Sequence, residues 1–84
     1  MLYRIITEKT DIVLNPIIGR YYDSYTIIDA RGYWQDVPEN SIVIEIVTDS
    51  EEDIKTKYLA LEIKEVNGQE SVLWLKFTEE HEFI

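Results

Sequence analysis

Two runs of β-branched and aromatic residues dominate the middle of the chain. The first spans residues 25–34 and the second spans residues 41–48. Residues 36–40 between them combine Asp, Pro and Asn, which are typical of turns. Strands favour β-branched and aromatic side chains, and a short turn joins antiparallel neighbours. This segment therefore predicts a β-hairpin.

A segment with helical periodicity follows the hairpin. Ser50 precedes three acidic residues at 51–53, and Asn67 and Gly68 close the segment. Acidic side chains complement the positive end of a helix dipole, and Asn-Gly favours the left-handed conformation at a helix end. A helix capped near Ser50 and extending to about residue 66 is therefore predicted. Its apolar residues form two separate stripes: Leu59, Ile63 and Val66, and Ile54, Tyr58 and Leu61.

Shorter elements occupy the two ends of the chain. Residues 2–7 form an apolar strand pattern, and Asn15 followed by Pro16 is a typical helix start, which predicts one to two helical turns. Residues 70–77 predict a last strand. Alternation gives this strand two faces, Leu73, Leu75 and Phe77 on one and Val72, Trp74 and Lys76 on the other.

The predicted order of elements is β-α-β-β-α-β. With right-handed crossovers this order closes into a ferredoxin-like sandwich, an α+β fold in which two helices cover one face of a four-stranded antiparallel sheet. Residues 1–84 then form a single domain, with residues 78–84 as an acidic C-terminal tail. Ile42, Ile44 and Ile46 are the expected core residues of the third strand.

The sheet face without helices is predicted to be half apolar. A solvated sheet face normally carries more polar residues, and a large apolar patch marks an interface. We therefore expect a homodimer or a higher oligomer that forms through this open face. The residues assigned to the interface are Ile27, Val43, Val47, Val72 and Trp74, with Glu45, Arg31 and Tyr33 beside them.

Composition limits the partners and the compartment. The chain has 17 acidic and 8 basic side chains, a net charge of −9, which argues against binding to nucleic acid or anionic membranes. Ordinary solubility and an acidic surface that engages a basic partner both remain open. Cysteine is absent, and the first residues lack the layout of a signal peptide. We expect a cytoplasmic protein, located in the host cytoplasm if it is viral, that gains stability by oligomerisation.

Four segments carry a further pattern: residues 26–34, 39–46, 59–64 and 67–72. They contain a hairpin of the form Thr…Gly-x-Trp and a Gly-Gln-Glu-x-Val entry into the final strand. In both features the chain resembles small uncharacterised proteins of phages and prophages. The resemblance covers most of residues 26–73 and implies the ferredoxin-like fold and a viral origin. Many short proteins of such genomes are accessory or counter-defence factors, and the resemblance assigns no catalytic residue.

No catalytic or metal-binding motif is visible in the sequence. The single histidine, His81, lies among acidic residues of the tail, and the three glycines are too scattered for a phosphate-binding loop. Asp49, Glu51 and Asp53 have the spacing of a calcium loop but lack its glycine and its final glutamate, so helix capping explains them better. We expect a protein that is not an enzyme and that uses no metal or cofactor.

Arginine and aromatic residues are combined at both ends of the second strand. Aromatic rings stack on nucleobases and guanidinium groups bind phosphate, so such residues could hold a nucleotide-sized anion. The alternative is core packing and surface ion pairing. The predicted ligand-binding residues are Arg20, Tyr22, Arg31, Tyr33 and Trp34.

Three classes of function remain open at this stage. The first is a small non-catalytic oligomeric binding module, a phage counter-defence protein that sequesters an anionic, nucleotide-type immune signal of the host. The second is an acidic inhibitor that binds a host protein, by imitating nucleic acid or otherwise. The third is a structural or assembly subunit, or a small enzyme of unrecognised type. The first is favoured because the predicted ligand-binding residues converge near one hairpin, where an oligomer interface would form a pocket.

Overall fold

The computed structural model describes residues 1–78 and 82, with the side chain of Trp34 excepted. The elements are β1 (Leu2–Glu8), α1 (Asn15–Ile18), β2 (Thr26–Trp34), β3 (Val37–Val47), α2 (Asp53–Asn67) and β4 (Leu73–Phe77). They form one sheet of order β2-β3-β1-β4 in which all neighbours are antiparallel. The predicted α+β fold with the order β-α-β-β-α-β is confirmed. His81 and most of the predicted tail lie outside the described residues.

A single hydrophobic core lies between the sheet and the two helices. Because side chains alternate between the faces of a strand, every second residue of the two central strands enters this core. Both helices contribute to the same cluster, so both cover the same face of the sheet. The buried apolar residues are Tyr3, Ile5, Leu14, Ile18, Ile44, Ile46, Leu59, Ala60 and Ile63. Ile42 is half-buried against this cluster.

Of the two apolar stripes predicted for α2, only one reaches the core. Leu59 and Ile63 are fully buried, whereas Ile54, Tyr58 and Leu61 are 73%, 61% and 56% exposed. The outward stripe has no partner within the described part of the chain that would bury it. Ile54 and Tyr58 of this stripe line the cleft described below.

The β2–β3 hairpin is longer and tighter than predicted. Its turn consists of Gln35 and Asp36 alone, at φ angles of 49° and 64°. Two residues with positive φ match the type I′ turn, whose twist suits antiparallel strands, and the sequence lacks the Asn-Gly pair that usually marks it. Pro38 lies inside β3. It is tolerated there because β1 ends opposite Ser41 and does not reach it.

The two ends of α2 differ in how well they were predicted. Gly68 has the predicted left-handed conformation at φ 64°, and its amide donates to the carbonyl of Glu65. At the other end the helix begins at Asp53, with Glu52 as the N-cap residue, and Ser50 is not the cap. The Glu52 amide instead donates to the hydroxyl of Tyr3 at 2.8 Å. A residue of β1 therefore takes over part of the role predicted for Ser50.

Three interface predictions are corrected by the register of the sheet. Ile27 pairs with Ile44 and Trp74 pairs with Ile5, so both lie on the face covered by the helices. Val72 also packs against the core. Both candidate faces of these edge strands are apolar, and the wrong one was assigned to the outside. Val43 and Val47, in contrast, lie on the open face as predicted, since they alternate with the buried Ile44 and Ile46.

Within residues 1–78 and 82, neither helix combines the length and the hydrophobicity that a membrane crossing requires.

Candidate functional site

An open cleft lies between the α1–β2 connection and the first turns of α2. Its volume is about 790 Å³, within the usual range for sites that take small molecules. The lining residues are Tyr21, Glu51, Glu52, Asp53, Ile54, Lys55 and Tyr58. A second cavity of about 400 Å³ shares Tyr21, Glu52 and Lys55 with it and is also lined by Arg20 and Tyr22. We refer to the two together as the α2 cleft.

Tyr3 connects the α2 cleft to the centre of the sheet. Its side chain is fully buried, and its hydroxyl donates to Asp53 Oδ1 at 2.6 Å while accepting the Glu52 amide at 2.8 Å. Lys76 Nζ of β4 donates to the other oxygen of Asp53 at 3.1 Å and lies 3.3 Å from Glu51 Oε1. Two strands therefore hold the acidic first turn of α2 in place.

A second group of contacts surrounds the Glu52 carboxylate. Tyr22 donates its hydroxyl hydrogen to Glu52 Oε1 at 3.4 Å, and Lys55 Nζ lies 3.6 Å from the same oxygen. The Lys55 ammonium also lies 4.2 Å from the centre of the Tyr22 ring. Burial, reinforced by the neighbouring Glu52 charge, raises the pKa of Tyr22 well above its ordinary value of 10.0. Tyr22 is therefore a hydrogen-bond donor throughout the physiological pH range.

The α1–β2 connection is attached to α2 through Glu62. Arg20 forms a salt bridge with Glu62, so its guanidinium group is already paired. Hydrogen bonding to Glu62 raises the pKa of Tyr21 above 10.0, and burial adds to that shift. Both residues are thus held at the edge of the α2 cleft by one carboxylate of the same helix.

Two of the predicted ligand-binding residues lie at this cleft and two do not. Arg20 and Tyr22 line it. Arg31 and Tyr33 are exposed on the β2–β3 hairpin, where Tyr33 is 67% exposed. The side chain of Trp34 lies outside the described part of the structure. Whether any of these residues binds a ligand stays a prediction.

The register of β3 explains why Arg31 lies far from the α2 cleft within one chain. Arg31 pairs with Asn40, whereas Tyr3, which contacts the cleft, pairs with Ile46. At about 3.3 Å per residue, these two positions on β3 are about 20 Å apart. Arginine and aromatic residues at the two ends of β2 consequently do not converge within one subunit. The prediction had placed them near one hairpin, with a pocket completed by an oligomer interface.

The cleft residues that the sequence did not single out are the tyrosines and acids around α2. Glu52 and Asp53 were interpreted only as complements of the helix dipole, and Tyr3 only as part of an apolar strand. A signal for Tyr3 was present, because a tyrosine at a buried strand position needs a partner for its hydroxyl group. Asp53 is that partner.

Asp53 should make the stability of the fold depend on pH on the acidic side. Hydrogen bonds from Tyr3 and then from Lys76 lower the pKa of Asp53 below its usual 3.8. A carboxyl group with a lowered folded-state pKa stabilises the protein fully above its unfolded-state pKa, and this contribution is lost as the pH falls through the folded-state pKa. Thermal melts of the wild type and Asp53→Asn should therefore differ most above about pH 4 and converge toward pH 2. A constant difference across that range would contradict this assignment.

Neither a family model nor a curated protein matches the sequence. Among solved structures, a phage SAM lyase in its apo state is similar, with a TM-score of 0.63. The match covers 87% of this chain and 75% of that chain at 23% identity. The two proteins share a fold. A phage protein thus has the architecture that the sequence predicted.

The same finding corrects one prediction. The absence of hydrolase, thiol and phosphate-loop motifs had indicated a protein that is not an enzyme, yet the fold is shared with a lyase. Some lyases break a bond by rearranging electron pairs within the substrate alone, and these need neither a nucleophile motif nor a phosphate-binding loop. The missing motifs therefore do not exclude catalysis. Among the residues that the structure describes, no three His, Cys, Asp or Glu side chains are arranged so that they could hold a metal ion.

Proposed function

We propose that this protein is a phage counter-defence enzyme that cleaves S-adenosylmethionine (SAM), or a closely related sulfonium compound, in the α2 cleft. The observation that carries the proposal is an acidic, tyrosine-lined cleft on a fold shared with a phage SAM lyase. Counter-defence is also the role that the resemblance to small phage proteins implies. The charge of the cleft, its aromatic surface and the chemistry of a sulfonium compound each support the proposal.

The charge of the cleft favours a cationic ligand. Three carboxylates, those of Glu51, Glu52 and Asp53, face the ammonium groups of Lys55 and Lys76, which leaves the site negative overall. SAM carries a sulfonium and an ammonium group against one carboxylate, so its net charge is positive. A negative cleft concentrates such a cation and repels the anionic nucleotide that the sequence had suggested. Arg20 is already paired with Glu62, which further weakens the case for an anion.

The aromatic and apolar surface of the cleft suits the remainder of the ligand. Tyr58 is 61% exposed and Ile54 is 73% exposed, and both line the cleft together with Tyr21. A purine ring stacks on tyrosine, and base–aromatic stacking contributes about 1–3 kcal/mol per base. A sulfonium group placed over the face of a tyrosine ring is attracted by the negative electrostatic potential of that face. The adenosine part would thus cover side chains that are exposed to solvent in the free protein.

The cleavage of a sulfonium compound requires few catalytic groups from the protein. When a new bond forms through an electron pair within the substrate, the carbon–sulfur bond breaks and sulfur keeps the bonding pair, leaving a neutral thioether. The protein has to hold the substrate in the geometry in which these bonds exchange, and a carboxylate fixed against a cationic group of the substrate provides such positioning. Glu52 suits this task because Tyr22 and Lys55 fix its carboxylate at the junction of the two cavities.

The test uses purified protein with SAM and follows substrate and adenosyl thioether by liquid chromatography and mass spectrometry. The wild type should consume SAM and release the thioether. Glu52→Gln should lower kcat/KM by about 100-fold or more, as expected for a positioned charged group. Glu65→Gln is the matched control, because Glu65 is an exposed acid near the other end of the same helix, and it should leave kcat/KM unchanged.

Two results would overturn the proposal. One is intact SAM after prolonged incubation with folded wild-type protein that also shows no calorimetric binding of SAM. The other is turnover that survives Glu52→Gln but is abolished by Arg31→Ala. That second pattern would place the site on the hairpin, where the sequence had suggested part of it, and not in the α2 cleft.

A further inference from the structure

The sheet face opposite the helices is almost entirely apolar. Strand register assigns its large side chains to all four strands: Leu2, Ile6, Ile28, Val43, Val47, Leu73, Leu75 and Phe77. The charged residues in its centre are Arg4 and Glu45, which neutralise each other with Arg4 Nε 2.7 Å from Glu45 Oε2. The Arg4 guanidinium also lies 5.1 Å from the centre of the Phe77 ring. This face is more apolar than the sequence predicted, since β4 turns its leucines and phenylalanine outward.

The size of the face approaches what a stable interface needs. Strands about 4.8 Å apart and residues rising about 3.3 Å each give the four-stranded part a flat area on the order of 400 Å². The largest apolar patch of an ordinary monomer is about 300–600 Å², and a standard interface takes roughly 800 Å² of accessible surface from each partner. Protruding side chains raise the accessible area above the flat area. The face alone thus supplies much, though not all, of one partner's share.

The end of the β2–β3 hairpin extends the open face. Because β1 ends opposite Ser41, residues 31–40 extend beyond the four-stranded sheet as a ribbon of only two strands. We call this ribbon the arm. Val37 on it is 63% exposed and lies on the same side as the open face, because it belongs to the same alternating set of β3 as Val43. Tyr33 pairs with Pro38 and therefore lies on the other side of the arm. A two-stranded ribbon is marginally stable on its own, so the arm gains most if a neighbouring surface covers it.

Charge decides which partner fits. The chain carries a net charge of −9, so two copies repel each other over most of their surfaces. The centre of the open face is the exception, because its one cation and one anion are paired with each other. A basic partner would instead be drawn to the acidic surface elsewhere. A neutral apolar face on an acidic chain suits another copy of itself, as in the symmetric interfaces of most homo-oligomers.

We propose that the open sheet face, extended by the arm, is the interface between copies of this chain. Sheets pack face to face at about 10 Å, so the apolar side chains of two copies interdigitate, with the Arg4–Glu45 pairs near the centre of the contact. A small domain buries a smaller share of its unfolded-chain surface than a large one does. Association therefore stabilises the fold as well as covering the face.

The test measures molar mass by light scattering and sedimentation at micromolar concentrations. The wild type should have a molar mass of at least twice the monomer mass of 10.0 kDa. Val43→Glu places an unpaired carboxylate in the proposed interface and should raise the dissociation constant about 100-fold or more. Leu73→Glu, at a residue that is 52% exposed, is the second variant in case the first does not fold. Leu61→Glu is the matched control on α2 and should leave the mass unchanged.

Three results would overturn the proposal. The first is a wild type that is monomeric at all concentrations. This includes the case in which deleting residues 79–84 then produces oligomers, because the C-terminal residues would then be what covers the open face. The second is an oligomer that survives Val43→Glu and Leu73→Glu with native circular dichroism. The third is an oligomer that dissociates with Leu61→Glu, because α2 would then form the interface. None of these results depends on whether the protein cleaves SAM.

Discussion

Replacing Ile5 with alanine should lower the free energy of unfolding by about 2–5 kcal/mol. Ile5 is fully buried on a central strand, and its register partners are Ile44 on one side and Trp74 on the other. Truncation removes the burial of its side chain and leaves a cavity that the rigid neighbours on the two adjacent strands cannot fill. The effect is large because core packing is dense and responds to single methylene groups.

The consequence for an 84-residue chain is a marked loss of thermal stability. In domains of this size each kcal/mol shifts Tm by about 4–8 °C, so a loss of about 2–5 kcal/mol should lower Tm by roughly 8–40 °C. Circular dichroism melts and urea titrations check this directly. Ile54→Ala is the matched control, because Ile54 is 73% exposed on α2, and its expected change stays within about 0.5 kcal/mol. Equal losses for the two variants would contradict the assignment of the core.

The fold was predictable because local signals agreed with each other along the chain. Residues 25–48 alternate as a hairpin, Gly68 ends α2, and the order of elements permits few topologies. These are properties of neighbouring residues, which the sequence displays directly. The confirmed order β-α-β-β-α-β and the left-handed Gly68 follow from such signals.

The faces of the edge strands could not be predicted in the same way. In β4 both alternating sets are apolar, so a period of two residues does not indicate which set faces the helices. Contacts with α2 decide it: Trp74 Nε1 donates to Thr56 Oγ1 at 2.9 Å, and Lys57 Nζ lies 4.5 Å from the centre of the Trp74 ring. Ile27 and Ile28 present the same ambiguity in β2. Only the packed structure resolves it.

The candidate site was predictable in part for a related reason. Arg20 and Tyr22 lie at the α2 cleft, next to a helix that the sequence had located. Arg31 and Tyr33 were assigned to the same site because the predicted residues were expected to converge near one hairpin, but β2 is extended over Thr26–Trp34 and places them at its far end. Tyr3 could not be linked to Asp53 from the sequence, since fifty residues separate them. Long-range partners of this kind make the cleft.

Replacing Tyr3 with phenylalanine should lower the free energy of unfolding by about 1–3 kcal/mol without leaving a cavity. The buried hydroxyl makes two hydrogen bonds, donating to Asp53 Oδ1 and accepting from the Glu52 amide. Phenylalanine keeps the ring, which lies 5.8 Å from that of Trp74. It leaves the Glu52 amide without its partner. Tyr58→Phe is the control, because the Tyr58 side chain is 61% exposed, and it should leave stability nearly unchanged.

Tyr3→Phe also tests whether Tyr3 positions Asp53 or contributes to stability by packing alone. Tyr3 and Asp53 belong to one hydrogen-bonded group, so Tyr3→Phe and Asp53→Asn together should cost less than the sum of the single changes. Tyr3→Phe should also weaken the acid dependence of stability, since the Tyr3 hydroxyl is the main cause of the lowered pKa of Asp53. Additive effects with an unchanged acid profile would mean that Tyr3 acts through packing alone. Loss of both, with the fold retained at neutral pH, would identify Tyr3 as the residue that positions the first turn of α2 and with it the Glu52 carboxylate.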